Sequence, residues 1–258
     1  MSLFKKFAAP TDVKLEEVKD TVGGGFPALD TDIYKGKVKM AFLDVWGSGA
    51  NYVALTLALE NGKEYSENIT ITNKKGDTFY EKNGKNYPLP GFVTIDDLCL
   101  VTLGVGLTEM DEHTEEKQVA VYDRDAGKEI PKVKQVLTGL LGKDVAVAIQ
   151  KSIETKMDKD GEGKYTIPTA DTRESNSIEK IFEPESMMTT VEARAEKTEG
   201  EFHKVWLEKN QGKTRDKTLK GDATGGKPLS AKPASNIPKA GGAGGAAGAR
   251  KPLFGNKS

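Results

Sequence analysis

Cysteine is nearly absent from this chain of 258 residues. Cys99 stands alone, so no disulfide can form within it. That suits a reducing cytoplasm. Histidine is almost as scarce. His113 and His203 lie far apart, and with one Cys they cannot assemble a structural zinc site of the usual kind. No stretch approaches the ~20 consecutive apolar residues that a membrane span needs. The start, MSLFKKFAAP, has lysines with no apolar run behind them, unlike a secretory signal. A dominant charge sign is missing from the total, which is −1, but not from its distribution. From Lys217 to Ser258 there are eight Lys and Arg against the single acid Asp222, which leaves residues 1–216 at −8. An acidic body with a basic tail is an asymmetry that accompanies charged partners.

Motifs of catalysis and metal binding are missing as well. Asp158-Lys-Asp160-Gly-Glu162-Gly163 opens like a calcium loop, but Thr169 stands where a bidentate Glu is needed, so it reads as a polar turn. Leu141-Gly142-Lys143-Asp144 imitates the end of a phosphate-binding loop. It has Asp144 in place of the hydroxyl that would hold magnesium, and Gly139 is too close. His113 sits in the acidic run DEHTEEK and reads as a solvated loop residue, His203 as packed or exposed on a helix, Cys99 as a buried inert thiol. Neither a catalytic site nor a cofactor site can be named from the residues.

What is present is β pattern. Asp32 to Trp46 begins with Val38, Met40 and Phe42 against Lys37 and Lys39, and Gly36 within it marks a bulge or bend. The same alternation assigns Phe42 to the core. Tyr52 to Glu60 alternates strictly, with Val53, Leu55, Leu57 and Leu59 inward and Tyr52 outward or into a groove. Asn61-Gly62 is a hairpin signal, and Lys63 to Thr72 returns with Ile69 and Ile71 inward. TNKKGDTFYEKNGKNY (72–87) reads as a small hairpin or elaborated loop. Thr94 to Leu103 reads as a helix with Thr94 as N-cap and Gly104 as its stop. A short strand at Val119 to Tyr122, a helix at Pro131 to Leu141, a strand at Asp144 to Thr155, and a final strand from Tyr165 to Thr169 and Ser177 to Phe182 follow.

These elements divide the chain into a flexible arm (1–30, with a helical turn near Val13 to Val18), a β body (31–183), a helical segment (184–216) and a tail (217–258). The helical segment docks through Phe202, Val205 and Trp206. The tail is rich in Gly, Ala, Pro and Lys and cannot bury enough apolar surface to order itself. Five strands with a helix between the third and fourth is the order of an OB-fold, so the expected fold is mainly β, an OB-fold-like five-stranded barrel with added hairpins and helices and a disordered C-terminal tail.

A sequence-tolerant binder of single-stranded nucleic acid needs Lys or Arg for phosphates and exposed rings for bases. The β body interleaves the two. Tyr34, Lys37 and Lys39 lie on the first strand, Trp46 and Tyr52 flank its turn, and Lys74, Lys75, Phe79, Tyr80, Lys82, Lys85 and Tyr87 fill residues 72–87. Each ring can equally be core, since aromatics are good strand residues, and strand lysines also keep an outer face soluble. Trp46 is the best exposed ring, because Gly-Ser-Gly follows it. Of the neighbours Phe79 and Tyr80, a regular strand exposes one, and Tyr80 tolerates solvent better.

GKVKMAFLDVWGSGANYVALTLALENGKEYSENITITNKKGDTFY, followed by LPGFVTIDDLCLVTLG and later by EARAEKTEGEFHKVWLEKNQGKTRD, resembles the single-stranded DNA-binding proteins of tailed bacteriophages. The resemblance spans roughly Asp32 to Asp216. It implies an OB-fold, DNA binding during phage replication, recombination or repair in the host cytoplasm, no catalysis, and contacts of the tail with replication proteins. Many such proteins end in an acidic tip with a terminal aromatic. This chain ends ARKPLFGNKS, so Leu253 and Phe254 are the residues that would dock a partner by apolar contact, or the basic tail adds DNA affinity. Two other readings stay open: a scaffolding protein of a replication complex, and a metal-dependent nucleic-acid enzyme.

Overall fold

The computed structural model describes residues 28–123, 126–161, 163, 165–219 and 253–254. The expected arm at 1–27, Glu162 of the calcium-like turn, and tail residues 220–252 and 255–258 lie outside the described residues.

The chain is mainly β. β1 (Asp32–Val45), β2 (Asn51–Leu59) and β3 (Glu64–Thr70) form an antiparallel meander. A separate hairpin follows, β4 (Phe79–Lys82) and β5 (Lys85–Pro88), then α1 (Pro90–Leu103). β6 (Glu115–Asp123) and β7 (Lys128–Val136) make a second hairpin. β8 (Asp144–Lys159) and β9 (Tyr165–Phe182) make a third and longer one. The chain continues through α2 (Thr190–Arg194), α3 (Phe202–Asn210) and β10 (Arg215–Lys217).

β1 organises the sheet. One edge pairs with β2 along nearly its whole length; the other pairs with β8 from Asp32 to Lys37 and then with β7 at Phe42 and Leu43. Gly36 is where β1 passes closest to β2, since a Cβ there would lie 2.5 Å from the Ala58 carbonyl oxygen. The bulge is elsewhere. Register with β2 shifts between Val38 and Met40, at Lys39. That extra residue reverses the parity of the strand, so Ala41, not Phe42, is the buried residue.

The expected closed five-stranded barrel is not formed. The outer strands of the series β3-β2-β1-β8-β9 share no ladder among the described residues. A side chain spans the seam instead: Glu67 on β3 accepts the Ile178 N–H of β9 at 2.9 Å and the Tyr65 hydroxyl at 2.7 Å. α1 packs on β3, β8 and β9 and closes the bottom of the core. It starts four residues before the expected Thr94, with Pro90 in its first turn, and Thr94 donates back to the Pro90 carbonyl at 3.0 Å instead of capping. Gly104, at φ 76°, ends it as expected. Gly91 lets its first turn press on β3, where a Cβ would come within 2.1 Å of the Thr70 carbonyl oxygen.

Leu55, Leu57, Val53 and Leu59 of β2 fill the main core with Ile95, Leu98 and Cys99 of α1 and Val145, Val147 and Ile149 of β8. Full burial of such a side chain contributes about 1.5–3 kcal/mol. Burial pushes the Cys99 thiol up to about 12, in line with an inert core residue. β8 is buried on both faces, since Ala146 and Ala148 lie under Trp206 of α3 with Phe182 and Ile33. The expected alternation of β8 therefore fails. α3 docks through Trp206 and Leu207; Phe202 only tilts against Phe182 at 6.3 Å, and Val205 is exposed, contrary to expectation.

Three further expectations change. Pro131 to Leu141 is not a helix; it is the end of β7 and a 3-10 turn at Thr138–Leu140. The arm ends earlier than residue 30, because Leu29 is core and its backbone makes two hydrogen bonds with the Asn176 side chain. The tail starts later than 217: β10 runs parallel to β8, and the Leu219 N–H donates to Thr155 Oγ1 at 2.9 Å.

Candidate nucleic-acid interface

Opposed residues of an antiparallel pair share a face. After the bulge, Met40, Phe42 and Asp44 of β1 oppose Thr56, Ala54 and Tyr52 of β2, which oppose Ser66, Asn68 and Thr70 of β3. This is the outer face, away from α1 and the main core. Its middle is low and polar, with Thr56 and Ser66 sharing a hydrogen bond at 3.0 Å. Its Lys37 and Lys39 lie toward one end, its rings toward the other.

The ring end is built in layers. Trp46, in the β1–β2 turn, stacks on Tyr52 with centroids 4.2 Å apart and planes 28° apart. The Trp46 Nε1–H donates to Thr70 Oγ1 at 3.0 Å, which fixes the indole across β2 and β3. The Tyr52 hydroxyl donates to Asp44 Oδ2 at 3.1 Å, and Lys134 of β7 reaches Asp44 Oδ1 at 2.6 Å. Burial, then the hydrogen bond to Asp44, pushes the Tyr52 phenol up to about 12. Burial works against the Asp44 carboxylate, but hydrogen bonds from Lys134, the Val45 N–H and Tyr52 hold it below the usual carboxylate value. Both groups thus keep one charge state near neutral pH, and the Tyr52 ring is held in place. Trp46 remains 38% exposed on top of this stack.

The lysines of residues 72–87 start beside it. Asn51 donates its N–H to Thr72 Oγ1 at 2.8 Å, and the Gly49 Cα lies under the Lys74 carbonyl, 3.6 Å from where a Cβ would be. Asn73 ties the Lys74–Asp77 turn by accepting the N–H groups of Lys75 and Asp77. The β4–β5 hairpin then projects with every residue exposed. Tyr80 opposes Tyr87 and stacks with it at 5.7 Å, while Phe79 opposes Pro88. Phe79 and Tyr80 are therefore both exposed, because the hairpin has no sheet behind it. Lys74, Lys75, Lys82 and Lys85 make no ion pair among the described residues; Lys37 pairs with Asp144 at 2.7 Å and Lys39 with Glu64.

Two of the sequence candidates are not brought to this face. Tyr34 lies on the inward parity of β1, packs at the main core and donates its hydroxyl to the Asp30 carbonyl at 2.8 Å. Leu253 and Phe254 are half-buried, and Phe254 packs against the main core of its own chain. Two residues of the face were missed. Phe42 sits between Ala54 and Val136 as a half-buried ring of the outer face. Lys134 was hidden in the segment misread as helix.

Among the described residues no group of three or more His, Cys, Asp or Glu side chains could hold a metal ion, and no helix is long and apolar enough to cross a membrane. Set against protein-family models, curated proteins and solved structures, the chain matches none of them.

Proposed function

We propose that the protein binds single-stranded DNA without strong sequence preference and without catalysis, stacking bases on exposed rings and meeting phosphates with lysines. The observation that carries this is the bare outer face of β1–β3, which ends in the Trp46–Tyr52 stack beside the unpaired Lys74 and Lys75. Strand-only surfaces of this kind are usually covered or uniformly charged; this one presents a π-face next to mobile cations, which is what a sequence-tolerant binder needs. We read the series β3-β2-β1-β8-β9, with α1 between its third and fourth strands in the chain, as an OB-type barrel left open at one seam. In OB-folds the face of strands two and three and the loop between the first two bind oligonucleotides. Here those positions hold Tyr52, Thr70 and Trp46. With the resemblance of the sequence, the role that follows is protection of single strands during phage replication, recombination or repair in the host cytoplasm.

The test is tryptophan fluorescence during titration with oligo-dT at two salt concentrations. Quenching is expected in the wild type and in Trp206→Phe, and is lost in Trp46→Phe. Affinity falls as salt rises, with a log–log slope of about −0.7 per phosphate contacted. Unchanged fluorescence and no binding at low salt would leave the scaffolding reading in its place.

A further inference from the structure

The chain leaves the body at Leu219 and is back on it at Leu253 and Phe254, where the Phe254 ring packs against the main core. Between them lie 33 residues with only Leu229 and Ile237 as large apolar side chains, and Phe254 is the one ring after Trp206. Nothing in those 33 residues resembles an element that could fix the path of the tip. The contact is therefore held by the tip itself: two apolar side chains with Arg250, Lys251 and Lys257 around them in sequence, facing a body of net charge −8.

We infer that Leu253-Phe254 is an exchangeable plug, and that the seat it takes on its own body also takes the same tip from a second copy. Two half-buried side chains make a weak contact. In cis it is occupied because the linker keeps the tip near its seat, at an effective concentration of about millimolar. A Gly-rich linker of this length has a root-mean-square span of about 30–35 Å. A body of this size has a radius of gyration of roughly 16 Å. The tip of an adjacent copy is thus as close to a given seat as its own. Seat and tip are chemically the same in cis and in trans, so neighbouring copies held side by side exchange tails with no new contact and no rigid interface.

The experiment needs no DNA, so it stands or falls separately from the proposed function. A fluorescent peptide of residues 249–258, ARKPLFGNKS, is titrated into wild-type protein and into the full chain carrying Leu253→Ala and Phe254→Ala. The variant, with its seat empty, is expected to bind the peptide about tenfold or more tightly than wild type, whose own tip competes. The same peptide with both residues replaced by Ala does not bind. An unchanged melting transition of the variant shows that the body is intact. In a second arm, a photo-crosslinking phenylalanine analogue at position 254 gives crosslinks within one chain at low concentration and between chains as concentration rises. Equal peptide binding by the two proteins, no binding by the variant, or crosslinks confined to one chain at all concentrations would overturn the inference.

Discussion

One face of β1 meets two fates. In its first half Ile33 lies under α3, with Trp206 buried to 5% exposure against Ala146, Ala148 and Phe182. In its second half Phe42 and the neighbouring Tyr52 have no helix over them, and Trp46 is 38% exposed. The same residue type is mortar at one end and platform at the other. What differs is the covering. Under α3 the sheet carries alanines, which let an indole approach the backbone. On the bare half the small residues Ala54, Thr56 and Ser66 have no large apolar partner above them. A face that presents small side chains and nothing to fill the space leaves room for a flat ligand.

The largest effect should come from the covered half. Trp206→Ala removes a fully packed indole, and the expected cost is about 3–5 kcal/mol. Thermal or urea unfolding reads it directly, and a melting temperature within two degrees of wild type would break the comparison. Trp46→Ala should behave in the opposite way. It loses a partly exposed stack, worth about 0.5–1.5 kcal/mol of stability, but it should lower oligo-dT affinity by about 1–3 kcal/mol, or roughly tenfold to a hundredfold. If Trp46→Ala unfolds the protein while leaving the affinity of the folded fraction intact, the ring is core and the bare face is no platform.

The sequence revealed the bare half better than the covered one. β2 was legible because Val53, Leu55, Leu57 and Leu59 alternate without interruption, and that parity placed Tyr52 outward. Phe42 was misplaced because Met40-Ala41-Phe42-Leu43 is a continuous apolar run, in which period two carries no information and a bulge at Lys39 goes unseen. β8 was misread as half-buried, since only α3 makes its second face interior. β7 was taken for helix because Val133, Val136, Leu137 and Leu140 have helical spacing; pairing with β6 overrides it, and Val133 ends 61% exposed. The open seam was not legible at all. Closure depends on whether β3 and β9 meet, and a buried Glu67 between them is a tertiary fact.

That seam and the helical cover each hold a buried carboxyl, and the two should respond to pH in opposite directions. Glu192 caps α2 together with Thr189 and also accepts the N–H groups of Glu201 and Phe202, both at 2.8 Å, at the start of α3. Burial opposes its charge, but these donors hold its carboxyl below the ordinary value. Its contribution is therefore present above the ordinary carboxylate value and is lost as pH falls through the lower folded value. Glu67 is the reverse: burial raises it, in spite of the donors Ile178 and Tyr65. Its protonated form suits the fold, so that contribution is present at low pH and is lost as pH rises through the raised value. Urea unfolding from mildly acidic to neutral pH should show Glu192→Gln losing about 1–2 kcal/mol at neutral pH. Glu67→Gln should gain on the wild type, by about 1 kcal/mol, as pH rises. Parallel pH curves for all three proteins would contradict both assignments.

The smallest effect separates two kinds of lysine on the bare half. Lys74 and Lys75 have no ion-pair partner among the described residues, whereas Lys37 and Lys39 hold Asp144 and Glu64. A phosphate that meets a free lysine releases its condensed cation outright. One that meets a paired lysine must first displace a carboxylate, which then needs a cation of its own, so less net release remains. The double change Lys74→Ala with Lys75→Ala should therefore make the salt slope shallower by about 1.4, at about 0.7 per contact. Lys37→Ala with Lys39→Ala should change it by clearly less, although both pairs remove the same formal charge. Exposed pairs contribute at most about 1 kcal/mol, so neither double variant should shift the unfolding midpoint enough to confuse the reading. The reverse order of slopes would move the phosphate track off residues 72–87 and onto the strand.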